Sequence, residues 1–131
     1  MIEQTQVLDM LVQACPTFAA ARDEHVAEYG NDVLYVAAGE FAHHLLILQL
    51  DGATSCFAEV GATIERMHTE GTHEVKELAT IGVLEGIQNV WGHSSADPGL
   101  FLEYLGPESR SWWQGLNNFW SGKAPIVRSG A

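Results

Sequence analysis

Apolar side chains recur along most of this chain at three- and four-residue intervals, the spacing that places them on one side of an α-helix. Val7, Leu8, Leu11 and Val12 set the pattern over residues 5–14, and Pro16 stops it. A second helix is predicted from Pro16 to Tyr29, offering Phe18, Ala21, Val26 and Tyr29 for packing, with Gly30 as its stop. Asn31 and Asp32 offer an N-cap for a third helix that reaches Leu50, where Asp51-Gly52 ends it; its opening, Val33-Leu34-Tyr35-Val36, also reads as a short strand. Thr54 or Ser55 can cap a fourth helix through Glu70, with Phe57, Val60, Ile64 and Met67 on one stripe before the break at Gly71.

The fifth helix, capped by Thr72 and running to Trp91 or His93, carries the most information. At about 100° per residue, Val75, Leu78, Ala79, Gly82, Val83 and Gly86 form one face, and Ile81, Leu84, Ile87 and Trp91 lie roughly opposite. A helix apolar on both sides is a central one. Gly82 and Gly86 cost helix propensity, so a neighbouring helix is expected to approach closely there. Asp97-Pro98 opens a short helix to Leu105, and Gly106 closes it. Pro107 or Ser109 starts the last helix, in which Trp112, Leu116 and Phe119 are expected to close the core while Trp113 or Trp120 covers its edge. Residues 121–131 lack a sustained apolar period and read as a flexible C-terminal tail.

The expectation is an all-α fold: residues 1–120 form one domain, a compact antiparallel bundle of about six to seven helices joined by short Gly-containing links. The stretch Thr72-His73-Glu74-Val75-Lys76-Glu77-Leu78-Ala79 has the flavour of a HEAT-type helix pair, which keeps an incipient solenoid as an alternative. A chain of 131 residues with 47% hydrophobic residues has the material for one core.

Charge narrows the choice of partner. Seventeen acidic side chains stand against six basic ones, a formal charge of −11. Binding to nucleic acid or to an anionic membrane needs clustered Lys and Arg, so both are disfavoured, and a basic protein surface or a cation is what such a field attracts. The longest aliphatic run, Leu45-Leu46-Ile47-Leu48, is far too short for a membrane span, and Met1-Ile2-Glu3-Gln4 does not resemble a secretory leader, so a cytoplasmic protein is expected. Cys15 and Cys56 are the only cysteines and read as reduced thiols acting as small core residues.

Candidate chemistry is confined to three Glu-x-x-His spacings: Glu40 with His43, Glu65 with His68, and Glu70 with His73. Two such pairs plus two further carboxylates, for which Glu59 and Glu85 are available, make a di-iron type of site. Solvated helix faces account for the same spacing and are the default reading, which leaves Glu40, His43, Glu65 and His68 as the weaker metal alternative. His44, between Phe41 and Leu48, reads as a core-edge histidine. Glu85, at the border of the two apolar faces, needs Arg110 or Arg66 as a partner or takes a raised pKa. No nucleophile elbow, phosphate loop, His-Glu-x-x-His or Cys-x-x-Cys is present, so neither an enzyme nor a bound cofactor is expected.

Gly39-Glu40-Phe41, the stretch Leu78-Ala79-Thr80-Ile81-Gly82-Val83-Leu84-Glu85-Gly86-Ile87-Gln88-Asn89, and Tyr104-Leu105-Gly106-Pro107-Glu108-Ser109-Arg110-Ser111-Trp112-Trp113 together resemble a family of small bacterial helical domains of unknown function. The resemblance covers about residues 5–120 and brings no catalytic residues with it. It implies a stand-alone acidic protein of the immunity type, which binds and blocks a toxin. On that expectation an acidic surface docks on a basic toxin face, with Asp23, Glu24, Glu28, Glu65 and Glu74 as contacts and Trp113 as an anchor. A non-catalytic scaffold or adaptor is the alternative from a different class.

Overall fold

Residues 1–130 are described by a computed structural model. Among them seven α-helices follow in order: α1 Val7–Ala14, α2 Ala19–Tyr29, α3 Leu34–Leu50, α4 Phe57–Glu70, α5 His73–Glu77, α6 Glu85–Gly92 and α7 Pro107–Trp120. Short 3₁₀ turns at Gln4–Gln6, Pro16–Phe18 and Pro98–Tyr104 join them. No strand is present among the described residues, so Val33–Val36 resolves as helix. Leu34, Ala37, Ala38, Phe41 and Ala42 all turn inward at a helical period that an alternating strand would not satisfy.

Boundary chemistry follows the local rules in some places and departs from them in others. Thr72 accepts the Val75 amide at 3.3 Å, Asp97 accepts the Gly99 amide at 2.9 Å, and Gly30 ends α2 in the left-handed region at φ 81°. Asn31, Asp32, Thr54 and Ser55 do not act as caps: α3 and α4 begin behind Val33 and Cys56 without a side-chain cap. Both helices are instead held by the apolar residues they bury.

The predicted central helix is real but is not uniformly α. Between α5 and α6 the run Leu78–Leu84 is a π-helix, so His73 to Gly92 is one continuous helical rod with a widened middle. Leu78, Ala79, Val83, Leu84, Ile87 and Trp91 along it are almost wholly buried. Helix α3 lies against this rod at the two glycines. A Cβ at Gly82 would sit 3.0 Å from the Ala38 Cβ, and one at Gly86 would sit 3.3 Å from the Ala42 Cβ. The close approach also brings the Trp91 indole N–H to the Ala42 carbonyl at 3.1 Å, which satisfies a polar group in a dry interior.

Phe57, Trp91, Phe101 and Tyr104 fill the space between α4, α6 and the third 3₁₀ turn, with Phe57 and Phe101 ring centres 5.2 Å apart. Each such side chain contributes about 1.5–3 kcal/mol when removed from water. Gly61 lets α4 meet the backbone of Tyr104, whose carbonyl occupies the place a side chain would need.

Segments near both ends of the described residues are tied down. Ile2 bridges the α4–α5 link, donating to the Glu70 carbonyl at 2.8 Å and accepting from the Thr72 amide at 2.9 Å. Of the flexible tail expected over residues 121–131, Ala131 lies outside the described residues, and residues 121–130 have no regular structure and return along α7. The Gly130 amide donates to the Ser111 carbonyl at 2.8 Å, Val127 packs on the core, and Gly115 leaves room for the Arg128 carbonyl. Among the described residues no helix is long and apolar enough to cross a membrane.

Candidate functional site

Glu65 on α4 and Ser109 on α7 are 44 positions apart and meet at the start of α7. Gly106 precedes the helix, and only its missing side chain admits the carboxylate, since a Cβ there would lie 2.5 Å from the Glu65 carboxyl carbon. One Glu65 oxygen accepts the Ser109 amide at 2.9 Å and the Ser109 hydroxyl at 2.7 Å, and the other accepts the Glu108 amide at 3.1 Å. This is an N-terminal anchor supplied by another helix: a negative charge on the free amides of the first turn. Burial pushes the Glu65 carboxyl up, but the Ser109 amide and hydroxyl and the Glu108 amide together hold it below the usual range.

Behind Ser109 lies His68, only 4% exposed. Its Nδ1 is 3.0 Å from the Ser109 hydroxyl and its Nε2 is 2.9 Å from the Thr80 hydroxyl in the π-helical segment. The proton count fixes the roles. Ser109 spends its one proton on Glu65, so His68 Nδ1 donates to Ser109 and Nε2 accepts from Thr80. Burial keeps the His68 ring neutral by pushing its pKa down, against the opposing pull of Glu65 and Glu108. Ser109 is fully buried, and its proton points away from the imidazole, so the trio has the composition of a nucleophile set but the polarity of a structural tie. A cleft of about 570 Å³ opens over the network, lined by Thr80, Ile81, His68, Glu108, Trp112 and Val127.

The Glu-x-x-His spacings do not converge. Glu40 turns to buried His25 on α2, with Oε1 2.9 Å from Nδ1, and leaves His43 exposed. Glu65 and His68 are both spent on Ser109, while Glu70 takes Arg66 at 3.4 Å and His73 faces Glu77 at 3.3 Å. Among the described residues no group of three or more His, Cys, Asp or Glu side chains is placed to hold a metal ion, so Glu40, His43, Glu65 and His68 do not form the di-iron type of site. Glu85 finds neither expected arginine. Arg110 donates to the Leu105 carbonyl at 2.9 Å and Arg66 pairs with Glu70, so burial alone raises the Glu85 carboxyl pKa.

Of the residues expected at an interface, Asp23, Glu24, Glu28 and Glu74 are exposed. Asp23 shares Arg22 with Asp9, both contacts at 2.8 Å, whereas Glu24 and Glu28 have no cationic partner among the described residues. Glu65 is occupied as the α7 anchor. Trp113 is 4% exposed and belongs to the core, so it cannot be a surface anchor; Trp112 and Phe119 are half-buried and Trp120, at 58%, is the exposed tryptophan. Helix α7 presents Trp113 and Leu116 inward, a rotation that adjacent tryptophans in the sequence do not disclose.

The corner where α2 passes into α3 is the surface that sequence reasoning missed. Tyr29, Val33, Tyr35 and Val36 are all exposed there, at 37–49%, and the same stretch of chain carries the exposed acids Glu24, Glu28 and Asp32. Two exposed tyrosines bracketing a four-residue link, Gly30 to Val33, were visible as letters. Their exposure was not, because Tyr29 stood in register with packing positions of α2.

Among the described residues the fold is all-helical, with the Glu65–Ser109–His68 tie joining α4 to α7. The family model described as Domain of unknown function (DUF7674) matches residues 8–121, and the chain belongs to that family. Comparison with curated proteins and with solved structures finds no match.

Proposed function

We propose that this chain is a non-catalytic protein-binding domain that docks on a basic protein surface, in the manner of a cytoplasmic bacterial immunity protein that blocks a toxin. The α2–α3 segment carries the reading: Tyr29 and Tyr35 are exposed, and the same stretch of chain carries Glu24, Glu28 and Asp32, exposed acids without a cationic partner among the described residues. Exposed tyrosines supply rigid contact area with a polar tip, and unpaired acids with a chain charge of −11 steer a basic partner toward them. The commitment of the Ser109 proton to Glu65 supports a binding role over hydrolysis.

The test asks whether a neighbouring gene encodes a basic toxin domain and co-expresses that domain with this chain, scored by growth and by binding of the purified pair. Protection that is lost in Glu24→Lys/Glu28→Lys, with an on-rate that falls steeply with salt, supports the assignment. Full protection by the charge-reversed, folded variant overturns this corner as the contact surface. Failure to bind any basic partner overturns the reading itself.

A further inference from the structure

The chain has two sulfur nucleophiles, 41 positions apart, and the fold brings them together: Cys15 Sγ lies 2.9 Å from Cys56 Sγ. Cys15 is the residue that ends α1 and is fully buried, while Cys56 precedes α4 and is half-buried, reachable from solvent. A second set of contacts leads away from Cys15. Its sulfur is 3.5 Å from the Thr17 hydroxyl, and that hydroxyl is 2.8 Å from His44 Nε2. Burial, with the neighbouring His43, pushes the His44 pKa down, so its ring is neutral at neutral pH and Nε2 can accept a proton.

From this juxtaposition we propose that Cys15 and Cys56 form a thiol oxidation site, which a small-molecule disulfide of the glutathione type converts into an intramolecular cystine joining the end of α1 to the start of α4. Cys56, the accessible partner, attacks the small disulfide; its sulfur bonds to one half and the other half leaves as a thiolate. Cys15 then attacks the Cys56 sulfur, forms the protein disulfide and expels the second half. Two protein thiols are oxidised and one small disulfide is reduced to two thiols, which take up the two protons. The proton of Cys15 leaves through the Thr17 hydroxyl to His44 Nε2 and from there to solvent, so Thr17 and His44 are positioning residues. Burial and the contact with Cys15 push the Cys56 thiol up to about 12, which makes the first exchange slow at neutral pH and separates this pair from fast peroxide-reactive cysteines.

The experiment uses the whole chain, purified under reductant, transferred to oxidised glutathione without denaturant, alkylated and read by intact mass and peptide mapping. The expected product is monomeric, lighter by two hydrogens, with the peptides carrying Cys15 and Cys56 cross-linked and no lasting glutathione adduct. Cys56→Ser should leave Cys15 as an unmodified, shielded thiol. Thr17→Val, with its circular dichroism unchanged, should give the same bridge several-fold more slowly. A glutathione adduct that persists on Cys56, two alkylatable thiols after prolonged oxidation, or a disulfide-linked dimer in place of the internal bridge overturns the proposal. An unchanged closure rate in Thr17→Val overturns the proton route.

Discussion

Glu65→Gln isolates the tie between α4 and α7. The native carboxylate accepts two amides and a hydroxyl at 2.7–3.1 Å. The glutamine oxygen can keep the Ser109 pair, but its NH₂ is then set against the Glu108 N–H, donor facing donor. A hydrogen bond to a charged group contributes about 1.5–3 kcal/mol and a helix N-cap about 0.5–2 kcal/mol. Glu65 is partly solvated and therefore screened, which favours the lower part of those ranges. The expected loss is about 2 kcal/mol at pH 7, a fall in Tm of roughly 6–8 °C for a domain of this size. Urea denaturation at pH 7 measures it as a shift in midpoint at constant slope. The pH series supplies the sharper check. The folded Glu65 pKa lies below the unfolded value, so its contribution is complete above about 4.3 and is lost as pH falls through the folded value. The gap between wild type and Glu65→Gln should therefore close in acid. Both proteins should also weaken below about 6.5, where the unfolded chain protonates His68 and the folded chain, with its lowered value, does not. A Glu65→Gln protein within about 0.5 kcal/mol of wild type at pH 7, or a gap that does not narrow as pH falls below about 4.3, would refute the anchoring role.

The same substitution at two helical glycines should have opposite signs. Gly39→Ala meets nothing within 4 Å and should stabilise by about 0.5–1 kcal/mol, whereas Gly82→Ala, 3.0 Å from the Ala38 Cβ, should cost about 1–2 kcal/mol in the same denaturation assay. Glu85→Gln should stabilise at pH 7, because the raised pKa marks a carboxylate that burial penalises; the gain should vanish in acid, where Glu85 itself takes up a proton. Oxidation of Cys15 and Cys56 closes a loop of 41 residues and should raise the unfolding free energy by up to about 4 kcal/mol, read from urea curves with and without reductant.

Local periodicity determined most of the architecture. The apolar spacing placed the helices, the two-sided apolar run from Val75 to Trp91 identified the central rod, and the cost of Gly82 and Gly86 announced a close neighbour that proved to be α3. These features depend on interactions within a few residues or on how much apolar surface a segment must bury, and both are written in the letters. Tertiary structure decided the rest. The π-helical stretch Leu78–Leu84 has no local signal, because widening a helix costs hydrogen-bond geometry that only the surrounding packing can repay. Glu65 and Glu40 share a three-residue spacing to histidine, yet one anchors α7 and the other turns to His25, since a carboxylate takes whichever donors the fold brings near. The depth of Trp113, the exposed tyrosines of the α2–α3 corner and the meeting of Cys15 with Cys56 depend on how helices rotate and cross over separations of tens of residues, and nothing in the local sequence specifies that arrangement.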